Sequence, residues 1–342
     1  MKYGFGIDLG GTTVKIAYFD ENGTMLEKWE IPTVTADGGK QILPDIAASI
    51  RSFLDAHQVN ESAILGLGIG VPGPVDAKGV VNKCINLGWG VFNIAEQLTE
   101  LTGFPVKAGN DANVAALGEY WKGGGQGCDN MVFATLGTGV GGGIVIEGKL
   151  LHGAHGSGAE IGHMVLNRNE TATCGCGKHG CVEQYCSATG IVRLAGLHGM
   201  HNVTCKDIFD AAKAGDKVAL EIMDEYYEYL GEFLGSLCSV IDPEVKETVQ
   251  RNFPALTGKR INAELSRTDQ QQSQAVHTAV MYHRASFGLQ KFCRIRQPLL
   301  VGRGQLVPNR EVIGKVHGIT ILCSQYTGFF AICQIFIIDI CQ

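Results

Sequence analysis

Carboxylates, imidazoles and thiols gather in a few short stretches of this chain. The densest is GAEIGHMVLNRNETATCGCGKHGCVEQY, residues 158–185. Cys174, Cys176 and Cys181 form a C-x-C-x4-C pattern among glycines, and His163 precedes Cys174 with ten residues between them. Three thiolates and one imidazole complete a tetrahedral Zn²⁺ shell and leave no position for a catalytic water, so the expected zinc is structural. His179 competes with His163 for the fourth position, and Cys186 reads as core. Buried free thiols are the plainer alternative, but a run so rich in glycine suits a chain folded tightly round a centre. Glu160 and Glu183 flank the loop, and a metal would tie both to one rigid segment. Paired carboxylates grip adjacent hydroxyls well, so the two suit a sugar. The second ring nitrogen of a zinc-bound His163 would suit another hydroxyl.

Two further constellations carry chemistry. In PVKAGNDANVAALGEY, residues 105–120, the pattern turns from strand to helix at Asn110 and Asp111. α/β folds present ligands at such junctions. Asp111 either caps the helix or acts as a general base that takes the proton of an attacking hydroxyl. The other constellation is a pair of glycine turns. GIDLGGTTVKIAYFD, residues 6–20, breaks two apolar runs with Asp8, Gly10, Gly11, Thr12 and Thr13 and places Lys15 just beyond. A hairpin that needs left-handed glycines would explain the glycines alone. A phosphate cradle explains the whole set: converging amides, hydroxyl donors, and a carboxylate able to hold Mg²⁺ through water. In MVFATLGTGVGGGIVIEGKLL, residues 131–151, Leu136-Gly137-Thr138-Gly139 stands where Leu9-Gly10-Gly11-Thr12 stood, and Thr135 matches Asp8. One repeat with one carboxylate suits one divalent cation held on one side of a polyphosphate.

The elements that must position these groups are legible from periodicity. Strands are expected over Tyr3–Leu9, Val14–Phe19, Met25–Ile31 and 63–70. Amphipathic helices are expected through Ile42, Ile46, Ile50, Phe53 and Leu54, and through Ile94, Leu98 and Leu101. Thr204 with Asp207 reads as a capping pair. Val218, Ile222, Tyr226, Leu230, Leu234, Leu237 and Ile241 mark a long helix that ends at DPE, residues 242–244.

With 342 residues and 45% hydrophobic composition the chain has length enough for two α/β lobes. A net charge of −6 argues against a general nucleic-acid or anionic-membrane binder. No charged region followed by an apolar one opens the chain, so a cytoplasmic location is expected. Beyond Val245 the character changes. Residues 246–342 carry 12 Lys and Arg against 5 Asp and Glu, whereas residues 1–245 carry 16 against 29. Glutamine becomes frequent, as in DQQQSQ at 269–274, and FFAICQIFIIDI at 329–340 is too short to span a bilayer. Such a break is what a reading-frame change in the gene would produce.

DLGGTT (8–13), VPGPVD (71–76), NLGW (86–89), GNDAN (109–113), LGTGVGGG (136–143), GAEIGH (158–163) and CGCGKHGCVE (174–183) together resemble the ROK family of sugar kinases, and most of all the bacterial ROK glucokinases. The resemblance runs unbroken over residues 1 to about 245. It implies a two-lobed actin-like, hexokinase-type ATPase fold with a cleft between the lobes, ATP with Mg²⁺, and a closed Cys3His zinc site. The lobes would be residues 1–112 and 113–245, the second with the zinc loop. Residues 246–342 would form an atypical tail, disordered or misfolded. Asp111 would be the general base for the sugar 6-hydroxyl, and Asn86, Asn110, Asp111, Glu160, His163 and Glu183 would bind the sugar. Gly6, Asp8, Gly10, Gly11, Thr12, Thr13, Gly137, Thr138, Gly139 and Gly141 would hold the nucleotide phosphates, with Asp8 nearest the cation. His163, Cys174, Cys176 and Cys181 would hold zinc.

The implied reaction is phosphorylation of a hexose, glucose first, by a homodimer or larger homo-oligomer that binds neither nucleic acid nor membrane. N-acetylmannosamine, N-acetylglucosamine, fructose and mannose are the alternative acceptors. With the first strand starting at residue 3, a DNA-binding helix-turn-helix of the kind that precedes the family's repressors is not expected. In the family a buried strand and a glycine turn of the adenosine pocket follow DPE. Here VKETVQRNFPALTGKR (245–260) follows, and PLLVGRG (298–304) is a weak substitute. The second lobe's sheet is therefore expected to lack an inner strand. A sugar-binding protein with impaired turnover is the reading this break favours as the alternative.

Overall fold

The structure, a computed structural model, describes residues 1–244, 312–316 and 319–323. Its elements run β1 (Tyr3–Leu9), β2 (Thr13–Asp20), β3 (Met25–Pro32), α1 (Ala36–Gly39), α2 (Ile42–Ala56), β4 (Ile64–Val71), β5 (Val80–Val81), β6 (Phe92–Asn93), α3 (Ile94–Thr102), β7 (Val106–Asn110) and α4 (Asp111–Lys122). They continue with β8 (Met131–Leu136), β9 (Val140–Ile146), β10 (Lys149–Leu150), α5 (Glu183–Cys186), α6 (Ala188–Leu197), α7 (Cys205–Lys213), α8 (Lys217–Ile241), β11 (Val312–Val316) and β12 (Ile319–Cys323). The residues divide into two compact units. One is Met1–Thr135 with Val140–Met164, and the other is Leu136–Gly139 with the described residues from Val165 on.

The first unit is built on a sheet ordered β3-β2-β1-β4-β7. β1, β2 and β3 form an antiparallel meander, whereas β1, β4 and β7 run parallel. Alternation sorts the faces of β1: Phe5, Ile7 and Leu9 are fully buried against one side, while Gly4, Gly6 and Asp8 line the other. α2 covers the apolar face with Ile42, Ile46, Ile50, Phe53 and Leu54, all buried at the predicted helical spacing. Phe53 anchors the contact, its ring stacked on Trp29 at 4.7 Å and edge-on to Phe5 at 5.7 Å. Truncating such a ring to alanine costs about 3–5 kcal/mol, so Phe53 is the side chain whose loss would most directly detach the helix.

The parallel register brings the strand ends to one edge. Asp8 pairs with Gly70, Gly70 with Gly109, and Val71 with Asn110. The carboxylate of β1 and the strand-to-helix junction after β7 therefore leave the sheet at the same C-terminal edge, where α/β folds bind ligands.

Two details of the predicted helices change. Leu101 and Val218 are exposed. The buried stripe of α3 is Ile94, Leu98 and Thr102, four residues apart, so Leu101 falls beside it; Thr102 is satisfied by donating to the Leu98 carbonyl at 2.7 Å. In α8 the buried face starts at Ala219 and Ile222, which leaves Val218 outward. The Thr204–Asp207 pair forms the predicted capping box. In the second unit, α5, α6, α7 and α8 pack on one another, and Asp242 ends α8 in the left-handed conformation with φ 46°.

β8, β9 and β10 belong to a second sheet, in which β9 and β10 run antiparallel. Beyond Val245, β11 and β12 pair as an antiparallel hairpin, Val312↔Leu322 to Val316↔Ile319. The segment after DPE, where the inner strand is expected to be missing, lies outside the described residues. The rest of the tail, including PLLVGRG and the apolar end, lies outside the described residues.

Candidate active site

Asp111 opens α4 but does not cap it. Asn110 does: its Oδ1 accepts from the amides of Ala112 at 3.0 Å and Asn113 at 3.2 Å, and its Nδ2 donates to the Gly73 carbonyl at 3.2 Å. With the first-turn donors met in this way, Asp111 takes one amide, that of Ala112 at 2.8 Å, on Oδ1. Burial pushes its carboxyl up to about 6; the Ala112 amide opposes the rise, and the charges of Asp8 and Glu160 add to it. A carboxylate in this range is ionised at neutral pH yet basic enough to take a proton in a transition state.

Asp8 faces Lys15 across the β1–β2 ladder, Nζ to Oδ2 at 3.7 Å. Burial raises its carboxyl, and Lys15 pulls it back down. Beyond it the glycine turn closes with the Gly10 amide donating to Thr13 O at 3.0 Å. Neither Gly10 nor Gly11 has a positive φ. A Cβ at Gly10 would press on the Thr13 carbonyl at 2.9 Å, but one at Gly11 would meet no atom within 4 Å. Nothing in the fold requires glycine at residue 11, so the plain hairpin explanation fails there and the space is open to a ligand. Gly6 sits in the interior of β1, paired with Ala17 and Gly68, away from the turn.

The second turn differs. A Cβ at Gly139 would lie 2.2 Å from Glu183 Oε2, so the Glu183 carboxylate rests on this glycine. Gly141 is required by packing: a Cβ there would meet Ala112 Cβ and Thr135 Cγ2 at 3.0 Å. Thr33 and Thr189 carried no signal in the sequence, yet both hold turn carbonyls. Thr33 Oγ1 donates to Gly10 O at 2.7 Å and Thr189 Oγ1 donates to Thr138 O at 2.7 Å. A threonine in a loop has no pattern by which such a role could be recognised.

Glycine also explains GAEIGH. A Cβ at Gly162 would fall 2.0 Å from Val140 O, and one at Gly142 would fall 2.3 Å from Ile161 Cδ1, so this loop lies flat on β9. Glu160 stands exposed at its start, before the short 3₁₀ turn Ile161–His163. Asn86 is exposed on a second 3₁₀ turn, Ile85–Leu87. That loop is closed by paired bonds between Cys84 and Trp89, and the indole of Trp89 donates to Gly39 O at 3.2 Å.

The side-chain donors of His163, Cys174, Cys176 and Cys181 all lie within 4.8 Å of one another. The thiols are unbridged, and Cys176 Sγ lies 3.6 Å from Cys181 Sγ. That matches the edge of a tetrahedron with Zn–S bonds near 2.3 Å, which is about 3.8 Å, and is far from a disulfide. Donor set and spacing therefore fit Zn²⁺, with His163 as the fourth ligand. His179 instead lies with Nδ1 3.1 Å from the Ala172 carbonyl. Gly180 makes the loop possible: its φ is +70°, and a Cβ there would fall 1.7 Å from Asn167 O. Cys186 is buried in the core as expected.

The ROK family matches residues 4–249. A glucokinase of Halalkalibacterium halodurans is 43% identical over 256 residues, 70% of this chain and 77% of its own length. An N-acetylgalactosamine kinase of a Shewanella species is 32% identical over 252 residues, 70% of this chain and 79% of its own. Among solved structures, a ROK family glucokinase from Streptomyces griseus in complex with glucose and AMPPNP superposes with a TM-score of 0.60 at 27% identity, covering 99% of this chain and 98% of that one. The chain belongs to the ROK family and has its hexokinase-type α/β fold.

Proposed function

We propose that this chain, an ATP-dependent sugar kinase by family, transfers the γ-phosphoryl group of ATP to the 6-hydroxyl of a hexose, and that the hexose is glucose. The observation that carries the reading is Asp111: a carboxyl at the C-terminal edge of the parallel strands, raised to about 6, with Asp8 and Glu160 near enough to act on it. Asp111 takes the 6-hydroxyl proton as that oxygen bonds to the γ-phosphorus. The bond from phosphorus to the ADP oxygen breaks, and ADP leaves with the electron pair. Positioning and charge stabilisation supply the larger share of such catalysis.

Glu160, Glu183, His163, Asn86 and Asn110 would hold the sugar hydroxyls. Most of Asn110's capacity is spent on the helix cap and on Gly73, which leaves it one N–H to offer. Asp8, Gly10, Gly11, Thr12 and Thr13 form the first phosphate site, and Gly137, Thr138 and Gly139 the second, with Gly6 and Gly141 supporting from strand interiors. Asp8 supplies the hard oxygen that Mg²⁺ prefers. When bound, that ion neutralises charge on the phosphates. Zinc, held by His163, Cys174, Cys176 and Cys181, would stiffen the loop that carries Glu183. The working form would be a homodimer or larger homo-oligomer, with an N-terminal lobe of residues 1–112 and a second lobe of 113–245.

Purified chain assayed with ATP against glucose, mannose, fructose, N-acetylmannosamine and N-acetylglucosamine tests this. Glucose should have the highest kcat/KM, and a higher value for any other sugar overturns the choice of acceptor. A second reading, a sugar binder with impaired turnover, is favoured by one observation: the family match stops at residue 249 of 342. Sugar binding without turnover on any of the five would establish it.

A further inference from the structure

The two glycine turns share a feature that their sequences do not. In the first, Thr33 Oγ1 donates to Gly10 O at 2.7 Å and the Thr33 amide donates to Thr12 O at 2.9 Å. In the second, the Ala188 amide donates to Gly137 O at 2.8 Å and Thr189 Oγ1 donates to Thr138 O at 2.7 Å. Each turn thus has two carbonyls drawn back by one backbone amide and one threonine hydroxyl. Thr33 comes from the loop after β3 and Thr189 from the first turn of α6, so the likeness is not a product of the strand–turn–strand repeat.

A trans peptide is planar, with its N–H opposite its C=O. Drawing back the Gly10 carbonyl turns the Gly11 amide the other way, and drawing back the Gly137 and Thr138 carbonyls does the same for the Thr138 and Gly139 amides. A carbonyl oxygen that faced an anion would repel it, whereas an amide aimed at it is the main attraction a nest of backbone donors offers. We infer that Thr33 and Thr189 are positioning residues for phosphoryl transfer, each fixing the peptide planes of one phosphate turn so that amides and not carbonyls face the nucleotide. The inference rests on the assignment of these turns to phosphate.

Thr189 has a further property. Its Oγ1 lies 2.9 Å from Ser187 Oγ, and Ser187 Oγ donates to Glu183 O at 2.6 Å. Two hydroxyl protons serve three contacts: Thr138 O, Glu183 O and the bond between the two hydroxyls. In one arrangement Thr189 donates to Thr138 O and holds the turn; in another it donates to Ser187 and lets the turn go. The second turn is therefore held by a hydroxyl with an alternative acceptor, and the first by a threonine that grips with both its hydroxyl and its amide.

Calorimetric titration of inorganic tripolyphosphate and of ATP into the full chain, with turnover measured in parallel, tests the inference. Thr189→Val and Thr33→Val should each weaken both anions about tenfold and raise the KM for ATP by a similar factor. Thr189→Ser and Thr33→Ser should restore wild-type values to within about twofold, and sugar affinity without nucleotide should stay unchanged in all four. A purely structural role would lower the melting temperature and leave anion affinity intact, and that result overturns the inference. So does loss in the serine variants equal to that in the valine variants. A wild-type chain that binds both anions but phosphorylates no sugar refutes the proposed function and leaves this test readable from binding alone. One that binds neither anion overturns both.

Discussion

Replacing Asp111 by asparagine should abolish turnover and at the same time stabilise the fold. The amide keeps the size of the side chain and an oxygen for the Ala112 amide at 2.8 Å, but it cannot accept the 6-hydroxyl proton. Loss of a positioned general base costs about 10²- to 10⁴-fold in rate. The stability gain follows from the raised carboxyl. In the fold Asp111 titrates at about 6 against 3.8 in a free chain. The folded state therefore binds the extra proton between those values, and stability falls as pH rises through that window. Above about pH 6 the cost is complete, about 3 kcal/mol for a shift of this size. At pH 5 it is about half of that, and below pH 4 it is gone. Asp111→Asn should thus be more stable than the parent by up to about 3 kcal/mol at pH 8, and by about half as much at pH 5. Urea unfolding of both proteins at the two pH values, with glucose phosphorylation measured on the same preparations, reads both effects. A variant that keeps more than about a tenth of the rate refutes the base. Equal stabilities at pH 8 refute the claim that the fold strains to keep this carboxylate charged.

Three further outcomes are expected. Gly11→Ala should fold as well as the parent, since the added methyl meets no atom within 4 Å, yet raise the KM for ATP about tenfold by entering space left for phosphate; unchanged ATP kinetics would remove Gly11 from the site. Gly180→Ala should unseat the cysteine loop, because its Cβ would fall 1.7 Å from Asn167 O; metal analysis that finds one zinc per chain in this variant would contradict the geometry. Cys176→Ser should lose zinc and, with it, sugar affinity, because Cys181 and Glu183 are separated by one residue; full zinc occupancy, or sugar binding indifferent to zinc, would disconnect the two.

Much of this was legible because the relevant signals are local. The alternation of β1 and the helical spacing of Ile42, Ile46, Ile50 and Phe53 placed the first sheet and its covering helix, and C-x-C-x4-C announced a metal loop. What was not legible depended on atoms far apart in sequence. The choice between His163 and His179 needed the loop closed. The reason for glycine at residue 139 is a carboxylate 44 residues away, Glu183. The role of Asn110 became clear once its Oδ1 was seen on the amides of α4, which released Asp111 for another task. Leu101 and Val218 misled because an apolar residue one step off a buried stripe looks the same in a sequence as one on it. Thr33 and Thr189 had no periodicity or motif to mark them at all.

The β1–β2 pairing carries a consequence for how such a protein can change. Asp8 stands opposite Lys15, and on the other face Val14 and Ile16 join Ile7 and Leu9 in the core. Because side chains alternate, adding or deleting a single residue in the turn would exchange the two faces of β2, sending Lys15 into the core and an isoleucine onto the face that carries Asp8. Only changes of two residues preserve parity. Insertion and deletion in this turn are therefore confined to even steps, and an engineer who wishes to lengthen the loop must count in pairs.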